Sequence, residues 1–375
     1  MSALRIVVSG MVAGDPDQGG ATWAVLQYVL GLRRLGHDVL LVEPVDELTP
    51  RRVAAFEALQ DEFGLRDSSA LLAAGGRRTV GLPYPAVSRR CRDADLLLNV
   101  SGMLGDPELV APIPVRVYLD LDPAFNQLWE AAAGIDMRFG SHTHFASVGL
   151  ALGSRECSVP TGGRDWIRTL PPVVLEHWRP AGVPTRHAFT TVGNWRAYGS
   201  IEHEGRHYGQ KAHSLRGLVG LPLASPHRFE VALAIHRDEG SDLDALKANG
   251  WRLLDAGRLT GTPTAYRDFV RGSQAEIGIA KAGYVESRCG WFSDRSACYL
   301  AAGRPVLAQD TGFGDALPTG EGLLVFTDER DAAAAADAVL DDYERHSRAA
   351  RELAEEHLDS NRVLERLLER VGGNA

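Results

Sequence analysis

Lysine is nearly missing from this chain: only Lys211, Lys247 and Lys281 stand among 40 basic residues in 375. A bias toward arginine commonly follows base composition, so it carries little weight for function. Cysteine is also sparse, and Cys91, Cys157, Cys289 and Cys298 form no CxxC pair and have no histidine at a ligand spacing. Neither a structural zinc nor a disulfide framework is therefore expected. No apolar run approaches the roughly 20 residues that a membrane span needs, so no span is expected. The opening "MSALRIVVSG" has no basic stretch before an apolar run and reads directly as a strand, from which a cytoplasmic location is expected. Positive charge is in deficit as well, with a formal net charge of −9. That balance argues against general attraction to nucleic acid or anionic lipid while permitting a local basic pocket. A small-molecule partner and no nucleic acid are the expectation.

What the chain does have is length and globular composition: 45% apolar and 24% charged residues over 375 positions suit two cores better than one. Residues 5–9 read as a buried strand, followed by a glycine-bearing loop, a helix over about 22–35 with Trp23, Leu26, Val29 and Leu30 on one stripe, and a strand over 39–42. Joined in this way they make a right-handed unit of a parallel sheet. The pattern breaks at about 179–187, around Pro180, Gly182 and Pro184, and restarts as a strand at Phe189. The expected fold is α/β, with residues 1–178 and 188–345 as two Rossmann-like doubly wound domains facing a cleft, and 346–375 as a helix packing across both.

The late stretch "GWFSDRSACYLAAGRPVLAQDTGF", residues 290–313, is dense in chemistry. Ser293 suits a helix N-cap, Gly303 ends the helix, and a short strand over 306–308 delivers Asp310 at its tip. Free amides at the helix start bind phosphate, Arg295 adds a charged fork, and a tip carboxylate suits sugar hydroxyls. An ordinary helix and strand with a plain cap has the same local pattern. The loop over 14–20 carries neither GxGxxG nor GxxxxGK[ST], which removes the strongest signal for dinucleotide or triphosphate binding. Gly19 and Gly20 still permit close approach to a ligand, with Asp15 or Asp17 facing the cleft or simply shaping the turn.

"RLGHDVLLVEP", the "CGWFSDRSACYLAAGRPVLAQDTGF" stretch and "RAARELAEEHLDSNRVLERLLE" together resemble bacterial glycosyltransferases of the GT-B architecture over nearly the whole chain. The resemblance implies hexosyl transfer from a nucleotide diphosphate sugar, held by the C-terminal domain, to a small-molecule or glycan acceptor on the N-terminal domain. Secondary metabolism is a plausible setting, and neither a cofactor nor a metal is expected. Carried over by position, donor binding falls to Gly193, Asn194, Trp195, Lys211, Lys281, Ser293, Asp294, Arg295, Ser296, Asp310 and Thr311, with Asp294 alternatively capping the helix. Asp15, Asp17, Gly19 and Gly20 form the acceptor-side loop. His142, His144, Asp120 and Asp122 are candidates for the base that takes the acceptor proton. Asp120 and Asp122 also spell a DxD, for which an Asp-Pro turn at a strand tip is the stronger reading than a metal site. The sequence departs from the retaining enzymes of this architecture: Gly290 and Cys298 stand where they carry a glutamate pair. An epimerase or hydrolase on the same fold, or a binding protein without turnover, are the alternatives.

Overall fold

The computed structural model describes residues 3–75, 77–180 and 182–373. Ile6, Val7 and Val8 in β1 (Arg5–Ser9) are all buried, which requires cover on both faces of the strand. Around β1 the chain lays β2 (Asp38–Val45), β3 (Ser69–Ala73), β4 (Thr79–Gly81), β5 (Leu96–Val100), β6 (Val115–Asp120), β7 (His144–Ser147) and β8 (Trp166–Arg168). Their order is β4-β3-β2-β1-β5-β6-β7-β8, parallel throughout except for the β3–β4 edge pair. A second sheet begins with β9 (Arg186–Asn194). It is followed by a hairpin, β10 (Ile201–His203) with β11 (Arg206–Tyr208), and then β12 (Phe229–Ala234), β13 (Arg252–Leu253), β14 (Ser273–Gly278), β15 (Val306–Gln309) and β16 (Leu323–Phe326). This sheet is parallel, in the order β13-β12-β9-β14-β15-β16.

Strand order reverses beside β1 in the first sheet and beside β9 in the second. Doubly wound sheets bind ligands outside the carboxyl ends of their strands at such points. The segments that leave those ends are 10–18 and Gly193–Asn194, and both open onto the same hollow.

Glycine lets the halves meet. A Cβ on Gly19, at the start of the first helix (Gly19–Arg34), would lie 2.3 Å from the Thr262 carbonyl oxygen, and one on Gly20 2.9 Å from the Tyr266 ring. One helical turn on, the Trp23 indole donates to the Pro263 carbonyl at 2.8 Å. Gly290, at φ +75°, would place a Cβ 2.4 Å from the Ala151 amide nitrogen. The expected close approach of Gly19 and Gly20 is thus to the opposite half of the protein. The tail is helical, in more pieces than the two helices that 332–371 suggest: Glu329–Asp341, Tyr343–Leu353, a π turn at Ala354–Leu358 and the last helix, Ser360–Gly372. The last helix lies on the first, where a Cβ on Gly31 would meet Leu364 at 2.6 Å.

Candidate active site

A cavity of about 680 Å³ lies between the two sheets, lined by Asp17, Gln18, Gly20 and Asp122 from the first half. From the second half come Gly193, Asn194, Lys211, Lys281, Tyr284 and the start of the helix Asp294–Ala301. Lys211 opens the helix Lys211–Arg216, and the Gln210 amide just before it donates to His213 Nδ1 at 3.0 Å. Its ammonium passes 2.9 Å from where a Gly193 Cβ would stand, so a larger residue there would push the ammonium aside. Lys211 is 7% exposed, and no hydrogen-bond acceptor or ion-pair partner for it exists among the described residues. Burial, reinforced by the neighbouring Arg295 charge, drives its pKa well below 10.5.

Arg295 is committed on two of its three nitrogens. Nε pairs with Glu276 on β14, and Nη1 donates to the Val192 carbonyl at 2.8 Å. Nη2 and Glu276 Oε2 are buried with no partner among the described residues. Burial works against the guanidinium charge, and Glu276, together with Tyr266 and Asp294, more than offsets it, so the pKa is raised. Arg295 is therefore first the counter-ion of Glu276, with one donor left over, and not the uncommitted fork the sequence suggested. Ser293 caps the helix by accepting from the Arg295 amide at 3.1 Å. Asp294 also lines the cavity, and burial raises its pKa.

Lys281 is already matched. It donates to both oxygens of Asp122, at 2.9 and 2.7 Å, and lies 4.3 Å from the Tyr198 ring centroid and 4.9 Å from that of Phe125. The Tyr198 and Tyr284 hydroxyls donate to the same carboxylate. Asp122 ends the strand-tip turn of the first half, so this cluster ties the two halves at the cavity wall. The two tyrosines were not singled out in the sequence, where "RAYGS" and "AGYVES" carry no signal of their own.

Several residues expected at the site stand elsewhere. Asp120 is buried beneath it, accepting from Asn126, Gln127 and Ser147, and burial raises its pKa against those bonds. A carboxylate so enclosed is structural, and it supports the Asp122 turn by accepting from the Asp122 amide at 2.9 Å. Neither His142 nor His144 lines the cavity. His142 is buried against Asn99, bonded at 3.0 Å, and burial lowers its pKa, while His144 begins β7 beside Thr143. Trp195 is buried in the core of the second sheet. Ser296 is buried below the helix start. Asp310 bonds Arg288 and the Gly312 amide, and Thr311 donates to the Trp291 carbonyl at 2.7 Å, and neither Asp310 nor Thr311 lines the cavity. Asp15 accepts from Gln18, whereas Asp17, at φ +75°, pairs with Arg51 at the cavity mouth.

The missing glutamate pair has a packing reason. Position 290 is pressed against Ala151 in a backbone region that favours glycine, and Cys298 is buried with Gln27 Nε2 donating to its sulfur at 3.8 Å. Position 290 has no space for a carboxylate. Among the described residues no group of three or more His, Cys, Asp and Glu side chains is placed to hold a metal ion. No described helix is long and apolar enough to cross a membrane.

Solved structures share this arrangement from end to end. An alpha-glucosyltransferase in complex with UDP and a 13-mer DNA containing a HMU base superimposes with a TM-score of 0.64 at 12% identity, over 99% of this chain and 100% of that one. HepE of Anabaena, in complex with UDP and glucose, gives 0.61 at 10% identity, over 98% and 99%. This is the GT-B fold. The two-sheet architecture expected from the sequence is borne out. No protein-family model matches the sequence, and no curated protein matches it. The exclusion of nucleic acid is overturned: several of these GT-B structures are glucosyltransferases complexed with DNA. The inference failed because net charge is a property of the whole surface, whereas an acceptor is engaged by one cleft.

Proposed function

We propose that this protein transfers a sugar from a nucleoside diphosphate sugar, with uridine as the base, to an acceptor hydroxyl. The observation that carries the reading is Lys211: a lysine only 7% exposed whose ammonium, on the wall of the inter-sheet cavity, has no partner among the described residues. An unpaired buried cation is costly. A diphosphate in the cavity removes that cost, with the amides of the Ser293-capped helix as further contacts. These groups together stabilise negative charge on the departing diphosphate, so transfer needs no metal. UDP as the leaving group follows the UDP and UDP-glucose complexes of the GT-B structures above. Asp122, alone among the four carboxylates and imidazoles read as possible bases, lines the cavity and is our candidate to receive the acceptor proton. DNA containing an HMU base belongs in the acceptor panel beside glycans and small alcohols, because an alpha-glucosyltransferase of this fold is seen with such DNA. The test is UDP release from UDP-glucose with each acceptor, in chelator. Turnover with one acceptor supports transfer. UDP release that no acceptor stimulates favours a hydrolase, and binding without release would end the enzyme reading.

A further inference from the structure

A second hollow, of about 330 Å³, lies away from the cleft between the end of β8, residues 315–316 and the last helix. Its lining combines apolar Leu150, Ile167, Val363 and Leu367 with the guanidinium-bearing Arg168, Arg366 and Arg370. Arg168 Nε is held by the Leu152 carbonyl at 3.0 Å, which leaves its terminal nitrogens uncommitted. Arg366 and Arg370 make no hydrogen bond or ion pair with any described residue. The only carboxylate on the lining is Asp315, and it pairs with none of the three.

Like charges four residues apart on a helix repel, and here that pair also faces a third arginine from another part of the chain. Arg5, Arg66, Arg164, Arg186 and Arg216 each meet a carboxylate within 4 Å, whereas the three arginines around this hollow meet none among the described residues. Three cations left without counter-charge around one concavity complement an anion, and the planar forks of arginine match phosphate oxygens two at a time. The apolar floor then suits a hydrocarbon attached to that anion.

We propose that this hollow binds a phosphate monoester carried on an apolar group, with the phosphate between Arg168, Arg366 and Arg370 and the hydrocarbon on Leu150, Ile167 and Leu367. Such a phosphate is presented either by a free molecule or by an anionic lipid at a bilayer. The proposal is independent of the donor cavity, since no residue is shared between the two linings.

The experiment titrates the full chain with dihexanoyl phosphatidic acid by calorimetry. Parallel arms use inorganic phosphate and sedimentation with phosphatidylcholine vesicles containing or lacking phosphatidic acid. Arg366→Gln and Arg370→Gln change exposed side chains and leave the fold intact. Arg362→Gln removes the same charge from the same helix outside the hollow. Saturable binding of the short lipid, weakened about tenfold or more by R366Q or R370Q and unchanged by R362Q, is the expected result. Binding to the acidic vesicles identifies a bilayer source, and its absence beside tight binding of the soluble lipid identifies a free one. No binding of the short lipid, equal weakening by R362Q, or binding only to a duplex DNA control would each overturn the site.

Discussion

Replacing Lys211 by methionine separates a residue kept for folding from one kept for a ligand. Methionine retains the length and apolar stem of the side chain and removes only the ammonium, which faces the cavity without a partner among the described residues. Taking an unpaired cation out of the interior relieves a penalty of several kcal/mol in the ideal case. Relaxation and partial neutralisation of the amine at its lowered pKa reduce the gain, so the ligand-free variant is expected to be about 1–3 kcal/mol more stable than the parent near neutral pH. The sign follows from linkage. An amine whose pKa lies below 10.5 in the folded chain costs stability when the unfolded amine is protonated, and that cost fades as pH rises toward 10.5. Parent stability relative to K211M should therefore rise with pH in the alkaline range. Binding moves the other way: losing a charge-assisted contact to diphosphate costs about 1.5–3 kcal/mol, a weakening of UDP by roughly 10- to 150-fold. Urea denaturation across pH and calorimetric titration with UDP read the two effects on the same samples. A variant that is less stable without ligand, or one that binds UDP as tightly as the parent, refutes the reasoning.

Three further outcomes are expected. Arg295→Ala should destabilise the chain by about 3–5 kcal/mol because it strands the buried Glu276 carboxylate, and joint replacement of both residues by apolar ones should recover most of that loss in urea denaturation. Gly19→Ala should cost about 1–3 kcal/mol and loosen the contact with Thr262, seen as faster amide exchange at 262–266. Glu43, buried and accepting from the Ala13 and Gly14 amides at 2.8 and 2.7 Å, has its pKa pushed up to about 7 by burial from an ordinary 4.5. A raised carboxyl pKa stabilises the fold below about 4.5, and the contribution is lost as pH rises through about 7. The loss is about 3 kcal/mol, and a Glu43→Gln variant should show a flatter stability profile over that range.

The fold was legible because apolar runs such as Ile6–Val8 and 96–100 are long enough to mark buried parallel strands. Short edge elements were not: β4, β8 and the β10–β11 hairpin are three residues each, too brief for any periodicity to register. At the site, the helix start after Ser293 followed from capping chemistry that is local in sequence. The state of Arg295 did not, because its partner Glu276 lies 19 residues away on a neighbouring strand. Asp120 and Asp122 show the limit most sharply. They are two residues apart with the same side chain, yet one is sealed among amides while the other reaches the cavity wall. Only the three-dimensional packing around the turn separates them.

On this reading the inter-sheet cavity holds the diphosphate of a sugar donor. A crystal structure of the protein soaked with UDP in the presence of chelator tests it most directly. The diphosphate is expected in that cavity, bonded to Lys211 Nζ and close to the amides of the Ser293-capped helix, with no metal bridging it. UDP bound elsewhere, or Lys211 left unpaired beside a bound nucleotide, would contradict it.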